Sequence, residues 1–247
     1  MPGRPKTQKT GRLAWRWHRG FMIIALAGQK GGGGKTTTAI ALACEWLARG
    51  RRVLLVDADP QGSTTTFASV ASEVGAKAPT IVAMGSGLHR PEQLPSLARD
   101  FDVVVIDCPP RHGDIMRSAL VVSDLVVLPC GPSAVDAWAL GASIDVINEA
   151  KVLRPDLNAV VLVTKKIART TIGAGARDVL TSSGLPVLKT ELFWRVHYQE
   201  APAAGLGPTT YAPASPAADE IRALATEVEE LAAAMVHAQP QEVANAL

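Results

Sequence analysis

Four consecutive glycines, Gly31, Gly32, Gly33 and Gly34, followed at once by Lys35 and Thr36, constrain this chain more than any other stretch. Glycine tolerates positive φ and lets backbone approach a ligand closely, so such a run is either a loose linker or a loop built to touch something. Its flanks argue against the linker. Phe21 to Ala27 ahead of it is a short apolar, β-rich run, and Thr37 to Arg49 behind it places Ile40, Ala43, Cys44 and Leu47 at i, i+3, i+4 and i+7. Strand, glycine loop and helix in that order let loop amides and a helix N-terminus converge on phosphate. Lys35 would then reach the β- and γ-phosphates, and the Thr36 hydroxyl would sit on Mg²⁺. The spacing departs from the common phosphate loop in two ways: Gln29 stands where the opening glycine belongs, and Lys30 places a second lysine inside the loop.

Two further motifs follow the same logic. After Gly50, a natural helix stop, Arg51 to Asp57 reads as a buried strand ending in a carboxylate, continued by Ala58, Asp59, Pro60, Gln61 and Gly62. Open α/β sheets bind ligands at the carboxyl ends of their strands, so Asp57 and Asp59 are expected to face the crevice of the glycine loop. Phe101 to Asp107 is another apolar strand ending in aspartate, before Cys108-Pro109-Pro110. This is the Walker B pattern, in which the carboxylate holds Mg²⁺ directly or through water.

The rest of the chain alternates in the same way. Residues 64–100 suggest a helix or two, a strand near Thr80 to Ala83 and a helix opening at Pro91; Ser118 to Asp124 closes a helix and Leu125 to Pro129 is a strand. Ser133-x-x-Asp136 is a capping box opening a helix to about Lys151, on which Val135, Ala139, Ala142 and Val146 share a face beside Trp138; the core and a dimer surface are both open to it, with the core as the default. Ala159 to Thr164 and Pro186 to Leu192 are strands around a helix at Thr170 to Ser183. Ser215 and Pro216 start a last helix bearing Ile221, Leu224, Val228, Leu231 and Met235. Strands alternating with helices predict an α/β fold: a doubly wound, mostly parallel sheet with helices on both faces.

At 247 residues this is one domain, expected over residues 21–236, with a basic, disordered tail at 1–20 and a frayed tail at 237–247. Residues 1–20 hold six Lys and Arg and no acid, so the net charge of +2 is a basic tail on a mildly acidic body. Trp15 and Trp17 in that tail would suit nucleic acid, although an inert extension, or a start at Met22, is the plainer reading. No apolar run approaches the roughly 18 to 20 residues of a spanning helix, and an apolar signal region is lacking, so a cytoplasmic protein is expected. Cys44, Cys108 and Cys130 lack metal-type spacing and read as reduced thiols.

With K-G-G-x-G-K-T-T at Lys30 to Thr37, D-x-D-P-Q-G at Asp57 to Gly62 and I-D-x-P-P at Ile106 to Pro110, the chain resembles the ParA/MinD group of deviant-Walker P-loop ATPases over residues 22–236. DPQG and the run Val122 to Leu140 are most similar to small ParA partition proteins of the ParF type; Arg195 to Pro202 only loosely resembles the group's V-R-L-S-E-A-P. The resemblance implies ATP and Mg²⁺ as cofactors, with Lys30 to Thr37 on the nucleotide. It implies a homodimer closing around ATP, Lys30 crossing to the partner's phosphates. Lys35 and Thr36 would hold phosphate and metal, Asp59 would position the attacking water, and Asp107 and Asp57 would support the metal. Hydrolysis would be slow, stimulated by a ParB-like centromere-binding protein or a cargo adaptor, and the dimer would bind DNA nonspecifically on the nucleoid. Lys165, Lys166, Arg169, Lys189 and Arg195 are the candidate DNA contacts.

Rival readings are weaker. A membrane-positioned MinD-type ATPase would need a basic amphipathic C-terminal helix, whereas Asp219 to Leu231 carries five acids against Arg222, which anionic lipid would repel. An iron–sulfur reductase would need glycine-rich cluster loops around Cys108 and Cys130, and a dethiobiotin-type synthetase a substrate pocket that DPQG does not suggest. Positioning of a protein cargo, such as carboxysomes or chemoreceptor clusters, by the same ATPase engine is the nearest alternative to DNA partition.

Overall fold

A computed structural model describes residues 20–111 and 113–238, with side chains to Ala234. The tail expected at residues 1–20 lies, but for Gly20, outside them, as do residues after Ala238 and the side chain of Met235. In chain order the elements are β1 (Met22–Leu26), α1 (Lys35–Ala48), β2 (Val53–Asp57), α2 (Ser63–Glu73), β3 (Thr80–Ala83), α3 (Leu94–Leu97), β4 (Val103–Asp107) and α4 (Gly113–Val122). They continue with β5 (Leu125–Cys130), α5 (Ala134–Leu153), β6 (Asn158–Lys166), α6 (Thr171–Thr181), β7 (Val187–Phe193), α7 (His197–Ala203), α8 (Pro208–Tyr211) and α9 (Pro216–Ala238).

The strands form one seven-stranded sheet in the order β3-β2-β4-β1-β5-β6-β7, and every neighbouring pair is parallel. The expected doubly wound α/β architecture is therefore present. Because side chains alternate across a strand, β1 sends Ile23 and Ala25 to one face and Met22, Ile24 and Leu26 to the other. The first set packs with Met116 and Leu120 of α4, Ile147 of α5 and Leu180 of α6. The second meets Leu42 and Trp46 of α1, Phe67 of α2, and Ile221 and Leu224 of α9. With both faces covered, the strands read as unbroken apolar runs rather than alternating ones.

Register places the functional ends. Asp57 pairs with Asp107 at the last position of β2 and β4, and Leu26, where β1 gives way to the glycine loop, lies beside Asp107 on its other side. Three local expectations change. The helix expected from Pro91 is replaced by one turn, α3, and a 3-10 turn over Ala98–Asp100, because Pro95 would remove an amide and clash with the carbonyl of Pro91 in a continuous helix. On α5 the capping box forms, but Val135 is 57% and Trp138 75% exposed, while Leu140, Ser143, Val146, Ile147 and Ala150 are buried and Ala137 and Ile144 pack partly against the core. The acids of α9 are largely engaged within the fold. Glu227 accepts the Lys189 and Thr190 amides at 2.6 and 2.8 Å, Glu220 accepts the Phe193 amide, Arg195 and the Tyr198 hydroxyl, and Glu229 pairs with Arg49. The acidity of that helix is thus only partly surface charge.

Candidate functional site

The glycine loop leaves β1 and is held by groups outside it. Ser143 of α5 accepts the Gln29 amide at 3.0 Å, Lys35 Nζ donates to the Lys30 carbonyl at 3.1 Å, Lys165 donates to the Gly32 carbonyl at 2.5 Å, and the Thr164 hydroxyl donates to the Gly33 carbonyl at 2.9 Å. Each glycine inside it has its own environment. Gly32 and Gly34 adopt φ of 76° and 95°, where an L side chain is strained. A Cβ on Gly33 would lie 2.8 Å from the Pro129 carbonyl oxygen, whereas one on Gly31 would meet nothing within 4 Å.

Gly34 is the N-cap of α1 and supplies no side-chain cap. The amides of Lys35, Thr36 and Thr37 therefore open into the crevice without a helical acceptor, at the positive end of the helix dipole. Helix α2, opened by Gly62 of the DPQG turn, is also uncapped by its N-cap. By contrast α5 and α6 are closed by Ser133 and Thr170. Helices α3, α7 and α8 also lack a side-chain cap, and at α2 the Thr65 amide is taken up by Asp57.

Lys35 is buried, and burial lowers its pKa against the opposing pull of Asp107. Burial pushes the Asp107 carboxyl up to about 7; the nearby Thr36 hydroxyl draws it back, Asp57 raises it, Lys35 lowers it and Asp59 raises it. Neither Asp107 oxygen finds a hydrogen bond of good geometry, and Asp57 Oδ1 is buried and unpartnered as well. The other Asp57 oxygen accepts from the Thr65 amide and hydroxyl at 2.8 and 2.7 Å. Adjacent buried carboxylates with open lone pairs beside a threonine hydroxyl make an all-oxygen donor set, and such a set suits a hard divalent cation. Asp59 lies one turn beyond, half-buried, accepting the Gln61 amide at 3.0 Å.

Lys30 points the other way. Its side chain is 42% exposed and pairs at 2.6 Å with Asp136, the acid of the α5 capping box, whose pKa is lowered by the Lys30 and Ser133 hydrogen bonds against its partial burial. Lys30 is thus brought to the loop's outer rim while Lys35, Thr36, Thr37, Asp57, Asp59 and Asp107 gather inside.

The candidate DNA contacts separate. Lys166 pairs with Glu191 and Arg195 with Glu220 at 2.6 Å, while Arg169 and Lys189 are exposed. Lys165 belongs to the loop, and its ammonium also lies 5.5 Å from the centre of the Trp194 ring. Next to the loop, Gly34, Thr37, Thr164, Lys165, Trp194 and Tyr198 line a groove. Sequence reasoning did not assign Thr164 or Trp194, which reach the loop from segments more than 120 residues away and carry no spacing signal. The three cysteines are free and buried, and burial pushes the Cys44 and Cys130 thiols up to about 12, so they are inert.

The model of the CobQ/CobB/MinD/ParA nucleotide binding domain matches residues 24–209. The maintenance of carboxysome distribution protein A of Halothiobacillus neapolitanus is 33% identical over 209 residues, covering 83% of this chain and 95% of that protein. The chromosome-partitioning ATPase Soj of Thermus thermophilus is 33% identical over 234 residues, covering 83% and 94%. Among solved structures, cobyrinic acid a,c-diamide synthase of Mycobacterium smegmatis with bound ADP and magnesium is 28% identical, covers 74% of this chain and 92% of that one, and superposes with a TM-score of 0.59.

Proposed function

The chain belongs to the CobQ/CobB/MinD/ParA nucleotide-binding family, and from that membership we propose that it is a ParA-type ATPase acting in DNA partition. Its cofactors are ATP and Mg²⁺. The observation that carries this reading is the division of labour between two lysines of one loop. Lys35 is buried on the loop's inner side, whereas Lys30 is turned outward and held only by Asp136. A phosphate loop with its own lysine in place has no use for an outward one unless a second subunit brings phosphates to it.

In this reading the amides of Gly31 to Thr37 and the Lys35 ammonium hold the phosphates, and Thr36, Asp57 and Asp107 hold the metal and its water shell. The metal supplies charge neutralisation for phosphoryl transfer. Asp59 orients the attacking water, and Lys30 exchanges Asp136 for the partner's phosphates, so that ATP-loaded copies pair. Hydrolysis is slow, because a P-loop site without its stimulating group can lose a factor of about 10³ to 10⁵. A ParB-like centromere-binding protein or cargo adaptor supplies that stimulation to a dimer held on nucleoid DNA in the cytoplasm. Arg169 and Lys189 remain the freest of the five candidate DNA contacts, since Lys166 and Arg195 are neutralised by partners. Among the described residues no helix is long and apolar enough to cross a membrane.

DNA retention measured with ATP, with ADP and without nucleotide, at low and high salt, tests the reading: retention is expected with ATP alone and to fall steeply with salt. Equal retention with ADP and ATP would contradict a nucleotide switch. The carboxysome-distribution relative, as similar as the partition ATPase, favours a second reading in which the same dimer positions a protein cargo. Co-purification of a cargo adaptor in place of a centromere binder would select it.

A further inference from the structure

We propose that Lys165 and Thr164 are positioning residues of the nucleotide loop, acting on its carbonyls so that its amides face the phosphates. The inference rests on the nucleotide-binding reading above. The residues stand consecutively at the end of β6 and reach consecutive carbonyls, Lys165 that of Gly32 and Thr164 that of Gly33. In a planar trans peptide the C=O of one residue and the N–H of the next point in opposite directions. Fixing the Gly32 and Gly33 carbonyls outward therefore fixes the Gly33 and Gly34 amides toward the other side of the loop. Four glycines have more backbone freedom to lose than any other tetrapeptide, so a loop of this composition gains most from being held from outside.

Lys165 is also built in at some cost. Its backbone sits at φ 54°, one of three non-glycine residues with positive φ among the described residues, and strain of this kind persists only where surrounding contacts over-determine it. Those contacts are the Gly32 carbonyl, which accepts from the ammonium, and the Trp194 ring, 5.5 Å from it. A cation so placed is withdrawn from the set available to DNA.

The test is calorimetric titration of the full chain with ATP and, separately, with inorganic tripolyphosphate, which has the phosphates and no base. Lys165→Met is expected to weaken both by a similar factor, on the order of tenfold for loss of a charged hydrogen bond, and to raise KM for ATP with little change in kcat, as for an interaction made equally in ground and transition states. Lys165→Arg should restore most of the loss. Lys165→Gly, which relieves the backbone strain and lacks the donor, should behave like Lys165→Met, and Thr164→Val should shift both titrations in the same direction. A loss for ATP but not for tripolyphosphate would overturn the inference by placing Lys165 on the base. Unchanged binding of both ligands with reduced DNA retention would overturn it by making Lys165 a DNA contact. Wild-type protein that takes up neither ligand would instead refute the nucleotide reading itself.

Discussion

Asp107 is a carboxylate held where ionisation is costly, and the cost has a sign. Its folded-state pKa of about 7 lies above the ordinary 3.8. The stabilisation from its protonated form is therefore complete below about pH 3.8 and is lost as pH rises through 7. Without nucleotide and in chelator, Asp107→Asn should melt several degrees above wild type at about pH 8.5 and gain much less near pH 5, as read by scanning calorimetry. Equal gains at both pH values would remove the buried charge as the cause. Gly31 poses the opposite problem, since nothing in the monomer requires it to be glycine. Gly31→Ala should shift the melting temperature by no more than about 1–2 °C yet weaken ATP-dependent pairing about tenfold in sedimentation, if what Gly31 admits is a phosphate or a second subunit across the loop. Gly33→Ala, meeting the Pro129 carbonyl, should damage the fold itself.

At the scale of elements, the last strand of the sheet shows why an acid count misleads. Glu227 of α9 caps two amides of β7, and Glu220 a third. Glu227→Ala should cost about 1–2 kcal/mol and speed hydrogen exchange at Lys189 and Thr190, while Glu227→Gln, which keeps an acceptor, should lose less. An unchanged exchange rate would mean that water replaces the cap freely. The buried strands, the capping box at Ser133 and the apolar stripe of α9 were legible, because each depends on residues close in sequence. Helices α7 and α8 were not: seven and four residues long, with Pro202 inside one and Pro208 opening the other, they are too short for periodicity to register. The exposure of Val135 and Trp138 was hidden for another reason. A helical stripe gives a face, and only the neighbours of α5 decide how much of that face is covered.

For the whole molecule, a parallel sheet brings the carboxyl ends of all seven strands to one rim, and the loop, the DPQG turn and the end of β4 meet there. That much of the site was readable, because each motif is contiguous. What was not readable is the far bank of the crevice, Thr164, Lys165 and Trp194, which only the β1-β5-β6-β7 order brings to the loop. Pairing of two such rims is where the proposed function can fail. Lys30→Ala should leave ATP binding measurable and abolish ATP-dependent dimers by light scattering, and a dimer of unchanged strength would end the assignment of Lys30 to a partner. The contact between Lys30 and Asp136 has a quantitative bearing on that equilibrium. Under the proposed exchange, every dimer must first break two of these ion pairs, one in each copy. Their strength then sets the protein concentration at which ATP-loaded copies begin to associate, and Asp136→Asn would lower that threshold by a change on a surface that touches neither the metal carboxylates nor the nucleotide. Abundance in the cell, as much as ATP, would be the quantity such a chain reads.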